Sequence, residues 1–301
     1  MVSSKADADP ARGALAAAMC YLAWGLFPLY WKQLSAINPV ELIAHRHLSS
    51  LVFVLCVMGL GSGWRKLWKA FRTPTSLAWH GLSGVLLTAN WLVFIWGVNN
   101  GHVLEASLGY FLVPLVNVGL GRFVLLEKLR RAQWIAIASA TAGVGLLILR
   151  VGKPPWIALA LAVTFGAYGL LRKRSPLGPL VGLGLETLLL APAALAFLIW
   201  REVTGLGALG HVDGRTHVLL LSAGVVTAVP LLLFAYGARR IRFTTLGLLQ
   251  YIAPTAQFVL GTWIYLEPFT RAQASAFAFI WIGLIIYTID NLLNQPRLTA
   301  A

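Results

Sequence analysis

Apolar residues run along the chain in ten blocks of about twenty residues, each closed by a short polar or basic segment. The blocks cover roughly 13–33, 39–60, 76–98, 103–126 and 132–150, then 155–171, 179–200, 217–238, 243–265 and 272–291. A helix rising 1.5 Å per residue needs about 20 residues to cross about 30 Å of hydrocarbon. Only helices and closed barrels satisfy their backbone groups there, and continuous runs of this length are helices. The pattern predicts an all-α integral membrane protein with ten transmembrane helices.

The second five blocks repeat the first. HVLEASLGYFLVPLVNVGLGRFVLLEKLRRAQ at 102–133 returns at 242–273 as RFTTLGLLQYIAPTAQFVLGTWIYLEPFTRAQ, offset by 140 residues without a gap. In that register Pro114 falls on Pro254, Gly121 on Gly261, Glu127 on Glu267 and Gln133 on Gln273. Gly84 and Gly224, Phe94 and Phe234, Gly97 and Gly237, and Gly143 and Gly283 extend it. The chain reads as a duplicated unit: a tail at 1–12, a first repeat at 13–150, a second at 151–291 and a tail at 292–301.

Composition supports the bilayer as solvent: 58% of residues are hydrophobic and only 11% charged, with a mean hydropathy of +0.77. A net charge of +14 would suggest nucleic acid in a soluble protein. Here the basic residues cluster between apolar blocks, where they set topology and meet anionic lipid. With the N-terminus cytoplasmic, sixteen Lys and Arg fall on that side, six on the other, and Arg46 and Arg122 lie inside spans. Both termini are therefore expected in the cytoplasm. An odd number of spans per repeat then turns the second copy upside down, giving two inverted five-helix repeats.

Most connections are short. The exceptions are a basic, Trp-bearing cytoplasmic loop at 61–75 and an external loop at 201–216. Thr270 and Gln273 fit a capping box opening the last helix. Met1 to Arg12 is polar and the first apolar run is too long for a signal-peptide core, so no cleaved leader is expected. Cys20 and Cys56, both in apolar runs, read as small buried hydrophobes rather than a disulfide or metal pair.

Polar residues inside the spans are the candidates for chemistry. Ser107, Tyr110, Pro114, Asn117 and Gly121 share one face of span four; Gly247, Gln250, Pro254, Gln257 and Gly261 share one face of span nine. Pro114 and Pro254 each free a backbone carbonyl that needs a partner or a wet cavity. These faces either line a central cavity or pack helix on helix through small residues and amide bonds. Span two carries Glu41, His45 and Ser49 at helical spacing, with Arg46 and His47 beside them. An arginine at that depth needs a carboxylate, a carbonyl or water, and Glu186 stands at its position in the second repeat. The pair reads as an anion-binding or proton-linked site, or as a structural ion pair. His45 and His47 point to different faces, so no metal site is expected.

Span one is an aromatic run, Tyr21 to Lys32, broken by Gly25 and Pro28, and span three holds Asn90-Trp91. Such rings suit a flat, moderately apolar ligand. Glu127 and Glu267 close spans four and nine and are expected to accept from the N-terminal amides of the helix that follows. Gly205 to Gly210 matches G-x-G-x-x-G, but in a loop with no preceding strand, so no dinucleotide is expected. No phosphate-loop motif occurs, so uphill work would have to draw on an ion gradient; no cofactor is expected.

Taken together, YLAWGLFPLYWK at 21–32, ELIAHR at 41–46, NWLVFIWGVNNGHVLEASLGYF at 90–111, YGLLRKRSP at 168–176, GVVTAVPLLLF at 224–234 and LGLLQYIAPTAQF at 246–258 resemble the RarD group of the EamA branch of the drug/metabolite transporter superfamily. The resemblance covers nearly all of residues 13–290. It implies a basket-like inverted repeat around a central substrate cavity, in the bacterial inner membrane, and permeation of small molecules under the group's chloramphenicol-sensitivity label. It places Trp24, His45, Arg46, Asn90, Trp91, Tyr110, Glu186, Gln250 and Tyr251 around that cavity. The expected partners are a small-molecule substrate and membrane lipid, not nucleic acid, in a monomer or homodimer. The rival class is a membrane-embedded enzyme on lipid-linked substrates, which would need converging acids or a metal cage; only ten acidic residues exist, scattered singly within spans.

Overall fold

Proline and asparagine mark where the helices begin. Pro39, Pro74 and Pro179 each open a helix, where a missing N–H leaves nothing unsatisfied. Asn38 caps the first of these, its side chain accepting the Val40 N–H at 2.9 Å. The capping box forms as expected: Thr270 N–H donates to Gln273 Oε1 at 2.8 Å and Gln273 N–H to Thr270 Oγ1 at 3.2 Å. Its counterpart one repeat earlier is half-kept, Arg130 N–H donating to Gln133 Oε1 at 2.9 Å.

The structure, a computed structural model, describes residues 10–61, 63–124, 126, 129–151, 153–238, 240–241 and 249–293. Among them every regular element is helical. In chain order these are α1 (Pro10–Trp31) with a tight turn at Lys32–Leu34, α2 (Pro39–Gly59), α3 (Gly63–Phe71), α4 (Pro74–Asn99), α5 (Val103–Val124) and α6 (Arg131–Val151). Then follow α7 (Trp156–Arg174), α8 (Pro179–Val203), α9 (Gly214–Ala238), α10 (Ile252–Val259) running into a wide turn at Leu260–Ile264, and α11 (Arg271–Leu293). Eight of the described helices are long and apolar enough to cross a membrane. The apolar parts of α7 (Trp156–Arg172) and of α10 with its turn (Ile252–Ile264) are shorter. Residues 242–248, the first part of the block expected at 243–265, lie outside the described residues, as do Glu127 and Gly247.

Two expectations change. The loop expected at 61–75 contains α3, whose Leu67 and Ala70 are buried while Arg65, Lys66, Trp68 and Lys69 are exposed. Trp64, Leu67, Trp68 and Phe71 recur at helical spacing, the pattern of a helix lying in the interface plane with its cations outward. Cys20 is buried, but Cys56 is exposed on the outer face of α2. Hydrocarbon accepts a thiol there as readily as a protein core does, so an apolar run does not separate the two environments.

Packing exchanges partners between the halves. α1 packs on α10 as α5 packs on α7; α1 on α9 as α4 on α7; α2 on α9 as α4 on α8. α2 meets α8, and α6 meets α11, each its own counterpart. The last contact is reciprocal in detail. A methyl on Gly143 would come 2.8 Å from the Ala276 carbonyl oxygen, and one on Gly283 would come 2.7 Å from that of Ala136, the equivalent atom. Ser139 Oγ donates to the Phe279 carbonyl at 2.7 Å, between equivalent positions.

Glu267 accepts amides of a helix N-terminus, though not from the helix that follows it. Its two carboxylate oxygens take the N–H groups of Val103 and Leu104 at 2.9 Å each, opening α5 of the first half. Those amides would otherwise be orphaned at the positive end of the helix. Replacing Glu267 by alanine is expected to cost about 2 kcal/mol and to speed amide exchange at Val103 and Leu104 before any other part of α5; unchanged exchange there would refute the cap.

Candidate functional site

Three prolines interrupt helices around one space. Pro28 cannot donate to the Trp24 carbonyl, Pro114 cannot donate to that of Tyr110, and Pro254 cannot donate to that of Gln250. Trp24, Tyr110, Gln250 and Pro254 all line the same cavity, which encloses about 520 Å³ of space between atoms, mouth included. α1 contributes Tyr21, Trp24 and Phe27, α4 contributes Leu87, Asn90, Trp91 and Phe94, and α7 and α9 contribute Phe165 and Leu231. Tyr110 of α5 and Gln250, just ahead of α10, stand 140 residues apart and both face this space.

The walls are rings in edge-on contact: Trp24 and Phe165 at 6.1 Å and 87°, Tyr110 and Phe165 at 6.0 Å and 88°. Among the described lining residues there is no Asp, Glu, Lys, Arg or His. Asn90 is buried and fully engaged: its Nδ2 donates to the Leu161 carbonyl at 3.0 Å and to Thr164 Oγ1 at 2.9 Å, and its Oδ1 accepts from Tyr110 OH at 3.2 Å. These bonds tie α4, α5 and α7 together behind the wall. Gln257, one turn beyond Pro254, donates Nε2 to the freed Trp24 carbonyl at 3.1 Å. The stripe on spans four and nine thus serves both readings: Tyr110, Gln250, Pro254 and Gln257 line the cavity, while Ser107 packs helix on helix, donating to the Pro254 carbonyl at 2.7 Å.

Of the nine residues named from sequence, Trp24, Asn90, Trp91, Tyr110 and Gln250 line the cavity, and His45, Arg46, Glu186 and Tyr251 do not. Tyr251 faces an open groove beside Leu26 and Val259 and lies along Phe111 at 6.4 Å. Arg46 stands directly behind the wall, its guanidinium 5.0 Å from the Trp91 ring, 2% exposed, with Nη2 3.3 Å from His47 Nε2. No carboxylate among the described residues comes within ion-pair distance of it. Glu186 pairs elsewhere, with Arg172 Nη1 at 3.2 Å and His80 Nδ1 at 3.1 Å, and accepts from Ser83 Oγ. His45 lies 3.9 Å from Glu41, whose other partners are Arg201 at 3.1 Å and the Ala208 N–H at 2.6 Å. Among the described residues no group of three or more His, Cys, Asp or Glu side chains could hold a metal. Lys32, without a partner in the sequence pattern, sits 3.8 Å over the Tyr265 ring.

Tyr21 belongs to the aromatic run singled out in span one, whereas sequence reasoning did not select Leu87, Phe94, Phe165 or Leu231 for the cavity. Lipid-facing and cavity-facing apolar residues look alike in hydropathy. A usable signal existed at Leu231, which occupies the position of Trp91 in the second repeat.

With every described element helical and eight of the described helices apolar and of spanning length, the chain is a multi-pass membrane protein. The model of the EamA-like transporter family matches residues 11–149 and again 154–289. The chain belongs to that family, is RarD-type within it, and is a membrane transporter. It is 42% identical over 284 residues to an uncharacterized transporter of Vibrio cholerae, covering 94% of each chain. It is 40% identical over 292 residues to protein RarD of Escherichia coli, covering 97% of this chain and 99% of that one. A chloramphenicol-sensitive protein RarD of Pseudomonas aeruginosa is 30% identical over 285 residues, covering 90% and 92%. One solved crystal structure overlays with a TM-score of 0.63 at 20% identity, covering 96% of this chain and all of that one, a likeness of fold.

Proposed function

We propose that this protein is a ten-span secondary transporter or facilitator that moves small, flat, largely apolar solutes across the bacterial inner membrane, both termini cytoplasmic. Its two inverted five-helix halves present one central site to either side in turn. The observation carrying this reading is the cavity itself, aromatic, uncharged and straddling equivalent positions Tyr110 and Gln250. The exchange of packing partners supports a two-fold relation between the halves, because such an axis requires each cross-contact to occur twice; the inversion rests on the odd number of spans in each proposed repeat. The name of the Pseudomonas relative supports an amphenicol among the solutes to test.

Trp24, Trp91, Tyr110 and Gln250 are the proposed solute contacts and Asn90 holds their wall. Arg46, behind that wall, and His45 and Glu186, by the ion pairs of Glu41 and Arg172, are assigned to the movement of the halves, and Tyr251 to the outer face of α10. The transport reading is preferred to the enzyme one because the matching family and the Vibrio relative named above are called transporters.

Uptake into proteoliposomes, screened with amino acids, nucleobases and an aromatic amphenicol, tests the proposal. Gln250→Ala and Arg46→Ala are each expected to reduce flux at least ten-fold with the protein still folded. Stimulation by an imposed pH gradient marks a proton-coupled carrier, and indifference to it a facilitator. Absence of flux for every solute from folded protein would overturn the proposal.

A further inference from the structure

Three side chains that line the cavity each carry a buried polar atom with no hydrogen-bond partner among the described residues: Tyr21 OH, Trp24 Nε1 and Gln257 Oε1. A buried polar group without a partner forfeits its hydration and gains nothing in return, and native structures rarely gather three around one space unless something meets them. Their chemistry is complementary. The Trp24 indole can only donate, the Tyr21 hydroxyl can donate, and the Gln257 oxygen can only accept.

The orientation of Gln257 is fixed by its neighbour. Its amide lies 3.1 Å from the Trp24 carbonyl, an oxygen left free because Pro28 has no N–H to give it. Only the NH2 side of the amide can face a carbonyl, so Oε1 is the end left over. The same α1 distortion thus pins the acceptor against the backbone of Trp24, the residue whose indole is a donor. Asn90 and Tyr110, the polar pair evident in the sequence, spend their groups on each other and on α7, and add no free donor.

Resting on the transport reading above, we infer that Tyr21, Trp24 and Gln257 form the recognition end of the cavity. They select an uncharged aromatic or heteroaromatic solute carrying an acceptor next to an N–H or O–H donor, as in a primary amide. Two donors meet the solute's carbonyl oxygen and the Gln257 oxygen takes its N–H. A carboxylate of the same shape offers Gln257 nothing to accept, and sets a negative charge against that oxygen in an apolar box with no cation among its described lining residues. Arg46 does not remedy this, because the Trp91 ring stands between its guanidinium and the cavity.

Three matched probes separate these terms: indole-3-carboxamide, its N,N-dimethyl amide and indole-3-carboxylate. Binding would be measured by calorimetry on the full chain in nanodiscs, with protein-free nanodiscs subtracted for partition into lipid. The primary amide is expected to bind at least ten-fold tighter than either analogue. Gln257→Leu should bring primary and dimethyl amides within about two-fold of each other, and Tyr21→Phe, which removes only the hydroxyl, should weaken both amides alike. Melting curves establish that each variant is folded; should Gln257→Leu not fold, Tyr21→Phe and the wild-type ranking still decide. Carboxylate binding as tight as the amide, equal binding of both amides, or no binding by any probe overturns the inference. Ranked binding without flux in proteoliposomes would leave the recognition site standing and sink the transport reading instead; flux of other solutes with no ranking would do the reverse.

Discussion

Gly224→Ala is expected to destabilise the protein by about 3 kcal/mol or more, while Gly84→Ala, at the equivalent position of the first repeat, costs about 1 kcal/mol or less. A methyl on Gly224 would fall 2.2 Å from the Ser49 carbonyl carbon and the Ser50 nitrogen. Both are backbone atoms of α2 and cannot rotate away. Ordinary carbon contacts lie near 3.5 Å, so α2 and α9 would have to part by about an ångström. That separation strains the buried bond between Ser50 Oγ and Thr227 Oγ1 at 3.2 Å and moves Arg46 against Trp91. A methyl on Gly84 meets instead the Leu190 Cδ1 at 3.1 Å, the far end of a side chain that can change rotamer. The difference arises because residue 50 is serine where residue 190 is leucine, which lets one helix pair approach more closely than the other. Thermal melting of the two variants in one detergent checks it. Equal losses would show that the α2–α9 approach is looser than the structure has it.

That asymmetry also marks what the sequence made legible. Helix positions were readable because a membrane span demands about twenty apolar residues in a row, and eight of the described helices meet that demand near the expected bounds. The proposed repeat rests on glycines and prolines that keep their places at the 140-residue offset. Which apolar residues face lipid and which face the cavity was not readable, since hydrocarbon and a ring-lined pocket select the same side chains; Phe165 and Phe94 were missed for that reason. Partners far apart along the chain were equally hidden. Arg46 and Glu186 occupy equivalent positions and invite pairing, yet packing gives Glu186 to Arg172 and His80 and sets Arg46 against an indole. α3 was legible and overlooked: a basic segment between spans suggested a loop, and its amphipathic spacing outweighs that suggestion.

Glu41→Gln and Glu186→Gln are expected to loosen opposite ends of one helix. α8 carries Glu186 near its start and Arg201 near its end, fifteen residues apart, a separation of roughly 22 Å at 1.5 Å per residue. At the first end Glu186 gathers Arg172 of α7 with His80 and Ser83 of α4. At the other, Glu41 of α2 holds Arg201 through Nε at 3.3 Å and Nη2 at 3.1 Å and takes the Ala208 N–H of the following loop at 2.6 Å. Both carboxylates are buried, at 2% and 1% exposure, while each arginine keeps 18%. Removing one charge from such a pair costs roughly 3–5 kcal/mol in a dry site, and the lower part of that range applies where water reaches the arginine. The amide also turns an NH2 toward donors that need an acceptor. Hydrogen exchange read along the chain should therefore rise at residues 204–210 in Glu41→Gln with 175–180 unchanged, and the reverse should hold in Glu186→Gln. On the alternating-access reading, each latch holds the site closed from its own side, so the two variants shift the occupancy of the two facing states in opposite directions. Single-cysteine labelling from either side of the membrane would register that shift. Exchange that rises at both ends in either variant would mean that α8 moves as one rigid piece with its neighbours, and the latches would then be structural ties rather than parts of the gate.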